Sequence, residues 1–261
     1  MGYEVLDNQL QKHTPEKRKE RVKRTKKLLK LSTYVIAKNN HLLKAIQNKS
    51  PNCNVHVFDW GLDNTLFNFE NKKISKDFIF LSPRSLNGFY NILDIVTAFY
   101  HFTKEITTQN TKLYITEYGI DVAYKAKIIE FLVKKKLEKN VIFIGTQTPN
   151  QMATLYKSSN CSVMYPPSDG LPQSLLESLS CGTPVIGPKI DPYTDWLVNE
   201  SVGLLIPIKN VSELTNSMVK SFELYSSDNS QKIQKACAEL MKKVANTEDS
   251  GRQLIEELFS N

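Results

Sequence analysis

A chain of 261 residues with 41% apolar and 23% charged content can bury one large α/β core plus a partial second unit. No apolar run reaches the length of a membrane span, and the stretch MGYEVLDNQLQKHTPEKRKER lacks an apolar core of signal-peptide length, so a cytoplasmic protein is expected. Leu6 stands where a myristoylation signal needs Ser or Thr, so that anchor is not expected. Cys53, Cys161, Cys181 and Cys237 form no CxxC pair and have no His cluster beside them, so reduced, buried thiols are expected and no metal site.

The net charge of +7 is unevenly spread. Residues 1–50 hold 13 Lys and Arg against 4 Asp and Glu, a balance of +9; the remainder holds 21 against 23, a balance of −2. The basic stretch reads first as a solvated helix face and second as a contact for an anionic membrane surface, which would place the protein at the inner face of the membrane. It carries few interleaved aromatics for base stacking, so no nucleic-acid partner is expected.

In chain order, residues 15–30 have helix-forming composition with a thin apolar stripe of Val22, Leu28 and Leu29. TYVIA (33–37) reads as a short buried strand, HLLKAIQ (41–47) as a helix, NVHVFDW (54–60) as a strand and GLDNTLF (61–67) as a turn-rich link. From about residue 76 a regular alternation begins. Strands are predicted at 77–82, 112–119, 140–145, 161–167, 183–188 and 203–208, and helices at 92–102, 123–136, 149–159, 171–181 and 211–225. A loop carrying Asn87-Gly88 separates the first strand from its helix. Residues 228–261 read as one or two helices with a break near Asn246–Ser250. Strands alternating with helices predict a Rossmann-like parallel sheet flanked by helices. The expected division is 1–67 as a partial amino-terminal α/β segment and linker, 68–228 as the main domain and 229–261 as carboxyl-terminal helices.

The strongest signal is Ser168-Asp169-Gly170-Leu171-Pro172-Gln173-Ser174-Leu175-Leu176-Glu177, running on to Cys181-Gly182-Thr183-Pro184-Val185. It follows a strand and opens a helix, the place where open α/β sheets bind ligands. Gly170 lets backbone approach a ligand, Pro172 suits a first helical turn, and the N–H groups of that turn favour a diphosphate. Leu171, Leu175 and Leu179 share one helical face and should pack on the sheet, while Gln173 and Glu177 lie opposite. An ionised Glu177 can accept two ribose hydroxyl hydrogen bonds, worth about 1.5–3 kcal/mol. On the residues alone, Asp169 also suits a helix N-cap, Glu177 a solvated helix position and Arg84 a surface ion pair.

This segment resembles the acidic pair of glycosyltransferase family 4 (group 1): two acids eight positions apart, then a Cys-Gly-x-Pro-Val turn and strand. The resemblance implies the donor-binding half of a GT-B fold, with Glu177 gripping the nucleotide ribose and Asp169, where the family usually has Glu, near the donor sugar. Ser82-Pro83-Arg84 matches the family's diphosphate-holding Arg, while Tyr90 stands at or beside the place of its usual Lys; Lys189 is a weaker substitute. Val141-Ile142-Phe143-Ile144-Gly145 and Leu155-Tyr156 are similar to the family's base-contacting strand, loop and helix, which places Gly145 and Thr146 near the base. Gly61-Leu62-Asp63 with Phe67 resembles the linker leaving the acceptor-side domain.

Three functions of different class follow. The first is a retaining glycosyltransferase moving a sugar from a nucleoside-diphosphate sugar to a glycan or lipid-linked acceptor in cell-surface polysaccharide assembly. Its catalytic residues would be Arg84 and Asp169, its donor contacts Gly145, Thr146, Gly170, Leu171, Pro172, Gln173 and Glu177, and it would need no cofactor or metal. The second is a donor-binding module needing a second polypeptide for the acceptor side, since most of that domain is missing and the helix at 251–259 would expose Leu254, Ile255, Leu258 and Phe259. The third is a GT-B-fold sugar-nucleotide epimerase, which wants more acid–base groups than are present.

Overall fold

A computed structural model describes residues 14–58, 61–70, 77–107, 110–226, 230–242, 244 and 247–259. The basic segment forms helix α1 (Pro15–Leu31), capped by the Thr14 hydroxyl and with Pro15 at its first position, where a missing N–H does no harm. It buries Thr25 and Leu29, so its apolar stripe faces inward and most of its Lys and Arg face out. Strand β1 (Val35–Ala37), helix α2 (Asn40–Lys49) and strand β2 (Val55–Val57) make a small parallel βαβ unit, Val35 opposite Val55. Leu29, Ala37, Leu42 and Ile46 form its core. Both strands are shorter than the sequence predicts, and the end of the second expected strand, residues 59–60, lies outside the described residues.

The main unit is a six-stranded parallel sheet in the order β5-β4-β3-β6-β7-β8. The strands are β3 (Phe78–Ser82), β4 (Thr111–Ile115), β5 (Val141–Phe143), β6 (Cys161–Val163), β7 (Val185–Pro188) and β8 (Gly203–Ile206). The chain starts at the centre, winds outward through β4 and β5, then returns to the other side of β3 and winds outward again. The reversal lies between β3 and β6, and a ligand crevice belongs at the carboxyl ends of those two strands. Every residue of β3 is buried. Its alternate side chains feed two cores: Phe80 joins one and Leu81 the other.

On the first face lie α3 (Ile92–Glu105), α4 (Val122–Lys135) and α8 (Val211–Tyr225). Ile92, Ile95, Val96, Phe99 and Phe102 recur at helical spacing and bury completely. On the second face lie α5 (Pro149–Ser158), α6 (Gln173–Ser180), the single turn α7 (Tyr193–Trp196) and α9 (Ser230–Met241). Helix α5 opens on a capping box, Thr148 with Gln151, legible as Thr-Pro-Asn-Gln. The final helix, α10 (Thr247–Phe259), begins inside the stretch expected to be a break.

Other departures are local. Most strands end earlier than predicted, because beyond the last ladder pair the chain turns into loops above the sheet. The loop at Asn87-Gly88 contains a 3-10 turn (Gly88–Tyr90), and Asn91 then takes a left-handed conformation, φ 51°, before α3 begins. Asn tolerates that region better than other side-chain-bearing residues, and Asn91 Nδ2 donates to Tyr165 O at 2.9 Å across the β3–β6 boundary. Helix α6 starts at Gln173, not at Leu171, because Pro172 serves as the cap without a side-chain bond. Leu171 still packs beside Leu175 and Leu179, from the loop. All four cysteines are free, and no helix of the described residues is long and apolar enough to cross a membrane.

Candidate donor-binding site

A cavity of about 590 Å³ opens over the carboxyl ends of the sheet. Its walls are Pro83 after β3, Tyr118 after β4, Gln147 and Pro149 before α5, Met152 and Tyr156 on α5, and Gln173, Ser174 and Glu177 on α6. Leu62, Asp63, Leu66 and Phe67 of the linker close its remaining side. The linker is fixed in place: Asp63 Oδ1 accepts from Thr65 N at 3.0 Å and Leu66 N at 3.2 Å, and Gln173 Nε2 donates to Gly61 O at 3.0 Å. The size is that of an ordinary small-ligand pocket, largely apolar with a few converging polar groups.

Glu177 is one of those polar groups. Helical spacing turns Gln173, Ser174 and Glu177 to the cavity, while Leu175, Leu176 and Leu179 bury against the sheet. Tyr156 Oη donates to Glu177 Oε2 at 3.1 Å, which leaves the carboxylate further acceptor capacity. Burial raises the Glu177 carboxyl above its ordinary range, and the Tyr156 hydroxyl and Arg84 charge act in the opposite sense. The Tyr156 phenol is itself raised well above its usual value, chiefly by burial and then by Glu177, so it stays a donor.

Arg84 sits at the tip of the same helix. Its Nη1 donates to Ser174 Oγ at 2.8 Å and its Nη2 pairs with Asp169 Oδ2 at 2.8 Å. The Tyr90 ring lies 4.5 Å from its Cζ. Burial works against the guanidinium charge, but Tyr193, Asp169 and Tyr90 together raise it above the ordinary value. Asp169 is 9% exposed. Its carboxyl is raised by burial, with Arg84, the Gly170 N–H and the Tyr193 hydroxyl pulling it back. Asp169 therefore does not cap α6: its Oδ1 accepts from Gly170 N at 2.9 Å and its Oδ2 belongs to Arg84. Nor is Arg84 a surface ion-pair residue, since its side chain is 13% exposed.

Gly145 and Thr146 stand outside the cavity's lining. Gly145 takes φ +72° and donates its N–H to Glu117 Oε2 at 3.1 Å, while the exposed Thr146 donates to Glu117 O at 3.0 Å. Glu117 also pairs with Lys125. The next residue, Gln147, is the one at the wall, its carbonyl accepting from Tyr118 Oη. Lys189 is exposed and is not among the lining residues, its N–H bonded to Ile206 O at 2.7 Å. Tyr118, Gln147, Ser174 and Leu66 line the cavity without having been given a role by the sequence reading, which named Tyr156, Leu62, Asp63 and Phe67 only as parts of segments that resemble the family. Ser174 carried a signal, sharing the first helical turn with Gln173; Tyr156 was named for its place in the segment after Gly145, and its bond to Glu177 was not foreseen. Among the described residues no group of His, Cys, Asp and Glu is arranged to hold a metal ion.

The family model for glycosyl transferases group 1 matches residues 63–239, more than half of the chain. No curated protein matches the sequence. Among solved structures, the chain is similar to TarM of S. aureus, a mutant in complex with Fondaparinux, alpha-GlcNAc-glycerol and UDP. That match has 17% identity and TM-score 0.76 and covers 91% of this chain and 46% of TarM. Anabaena Alr3699/HepE in complex with UDP and glucose matches at 15% identity and TM-score 0.78, covering 95% of this chain and 69% of that one. Sucrose-phosphate synthase (tll1590) from Thermosynechococcus elongatus matches at 18% identity and TM-score 0.80, covering 100% of this chain and 66% of that one. The chain thus spans less than half the length of TarM. The shared architecture is the GT-B type, a parallel sheet flanked by helices on both faces.

Proposed function

Since the chain belongs to the glycosyl transferases group 1 family, we propose that it binds a nucleoside-diphosphate sugar in this cavity and supplies the donor side of a glycosyl transfer. The observation that carries the reading is that one short helix brings two groups together: Glu177, which it carries on the cavity wall, and Arg84, which reaches its tip from the loop after β3 and bonds to Ser174. A ribose offers two hydroxyl donors to a carboxylate, and a diphosphate offers acceptors to a guanidinium and to free N–H groups of a first helical turn. Arg84 then stabilises the departing diphosphate, and Asp169 lies beside the donor sugar. Retention of configuration, a glycan or lipid-linked acceptor and a place in cell-surface polysaccharide assembly extend the same reading. So does action without a cofactor or metal.

The basic, outward face of α1 supports contact with an anionic membrane surface on the cytoplasmic side. Co-sedimentation with anionic vesicles, lost at high salt, tests it; binding to neutral vesicles alone removes it.

A second reading is a donor-binding module completed by another polypeptide. It is favoured by the partial coverage of the similar structures and by α10, where Ile255 is 60% and Phe259 79% exposed. Among the residues expected to be exposed there, the Leu258 side chain lies outside those described.

A thermal-shift panel of nucleoside diphosphates and their sugar conjugates tests the donor site. Stabilisation by at least one pair is expected, and no shift with any of them rejects the assignment. Donor turnover by the isolated chain separates enzyme from module.

A further inference from the structure

Asn39 belongs to the amino-terminal unit, yet it is tied to the loop that carries Asp169. Its Oδ1 accepts from Leu42 N at 2.8 Å, capping α2, and its Nδ2 donates to Gly170 O at 2.8 Å. The contact is packed as well as bonded: a Cβ on Gly170 would lie 3.7 Å from Leu42 Cδ1. Two residues on from Asn39, His41 Nδ1 lies 3.4 Å from Asp191 Oδ2 in the loop after β7. The first turn of α2 therefore holds two loops at the carboxyl ends of the main sheet.

The consequence lies in the peptide between Gly170 and Leu171. That peptide is trans, so its C=O and N–H point in opposite directions. With Gly170 O drawn to α2, the Leu171 N–H is turned the other way, and it has no hydrogen-bond partner among the described residues. The preceding N–H, on Gly170, is already taken by Asp169 Oδ1. Both peptides flanking Gly170 are thus fixed, one by Asp169 and one by Asn39, and the Leu171 N–H stands two residues from Asp169 without a hydrogen-bond partner among the described residues.

We propose that Asn39 is a positioning residue for the sugar of the donor: it orients the Leu171 N–H to donate to a sugar hydroxyl. This rests on the nucleotide-sugar reading above. It separates the two parts of the ligand, with Glu177 and Arg84 serving the nucleoside diphosphate and the peptide held by Asn39 serving the sugar.

Two variants separate the clasp from the cap. Asn39→Asp keeps an N-cap acceptor but has no N–H, and its carboxylate repels Gly170 O. Asn39→Ser keeps the cap and is too short to reach Gly170 O. The probes are the nucleoside diphosphate and its glucose conjugate that stabilise the wild-type chain most, measured by calorimetry. Both variants are expected to bind the nucleoside diphosphate as the wild type does and the glucose conjugate about threefold to tenfold more weakly. Unchanged affinity for the conjugate overturns the proposal, as does an equal loss for both ligands. Exchange of the Leu171 amide in the wild-type chain needs no variant: the conjugate should protect it and the nucleoside diphosphate should not, and equal protection again overturns the proposal. A wild-type chain that binds neither ligand rejects the donor-site reading and this inference together. One that binds both while the variants do not discriminate rejects the role of Asn39 alone.

Discussion

The Tyr90 ring lies against the Arg84 guanidinium, 4.5 Å from centroid to Cζ, at the end of the 3-10 turn that follows β3. Family resemblance expects a lysine near this point. The chain has instead an uncharged ring that holds the guanidinium by its face, while Asp169 and Ser174 hold its nitrogens by the edge. Such a contact is worth about 0.5–2 kcal/mol. Tyr90→Ala should therefore weaken nucleoside-diphosphate binding by about twofold to thirtyfold. Tyr90→Phe, which keeps the ring, should retain most of the affinity. Calorimetry checks both, and equal affinity in wild type and Tyr90→Ala removes the ring from the site.

Removing Arg84 leaves Asp169 buried beside a Tyr193 hydroxyl at 3.4 Å and the Gly170 N–H. Breaking a buried pair in this way costs about 3–5 kcal/mol. Burial already raises the Asp169 carboxyl, and losing Arg84 raises it further. A carboxyl whose folded value exceeds its unfolded one favours the fold in acid and loses that contribution as pH rises through the folded value. The deficit of Arg84→Ala should therefore be small near pH 4 and grow toward neutrality, by about 2–4 °C in melting temperature per kcal/mol. Adding Asp169→Asn should recover much of it. Melting curves with the same deficit at every pH would contradict this account.

The alternation of apolar strands and amphipathic helices from residue 76 onward made the sheet legible, because one buried strand and one helical stripe each have their own period. The loop from Ser168 to Gln173 was legible for a different reason: a strand end, a glycine and a proline before a helix confine the backbone to few courses. The pairing of Arg84 with Asp169 was not legible, since 85 residues separate them and only the β3–β6 switch brings them together. The alternative that Asp169 caps its helix was sound local chemistry, and a long-range charge outweighed it. The cavity's outer wall, Leu62 to Phe67, was read as a linker. Its packing depends on Gln173 reaching Gly61, again a contact across more than a hundred residues. Asn39 was hidden for the same reason.

Gly187 on β7 makes room for the Tyr193 ring. An added Cβ would lie 2.6 Å from Tyr193 Cδ1 and 3.1 Å from Leu197 Cδ1, both fully packed in the second core. Gly187→Ala should cost about 1–3 kcal/mol by overpacking. It should also displace the Tyr193 hydroxyl from Asp169 and so weaken nucleoside-diphosphate binding. Gly251→Ala is the control: nothing lies within 4 Å of its added Cβ, and in α10 it should gain about 0.5–1 kcal/mol. Urea unfolding read with ligand titration checks the contrast. A Gly187→Ala chain as stable as wild type, with full affinity, would show that the ring has slack.

Glu177 sets stability against binding at one position. Burial holds its carboxyl above the ordinary range, so ionisation in the folded chain is opposed. Its contribution favours the fold below the unfolded value of about 4.3 and falls away as pH rises through the raised folded value. Glu177→Gln keeps a carbonyl to accept the Tyr156 hydroxyl and removes the charge, so this pH-dependent loss disappears. The variant should melt close to wild type near pH 4 and above it at pH 7. The same change replaces an acceptor-only group with an amide that can accept at one atom only, and that atom is engaged by Tyr156. Nucleoside-diphosphate affinity should fall roughly tenfold or more, from the loss of about 1.5–3 kcal/mol. A variant that is both more stable at pH 7 and weaker in binding fits a carboxylate kept for a ligand. A variant that gains stability with undiminished affinity would mean that the ribose is held elsewhere.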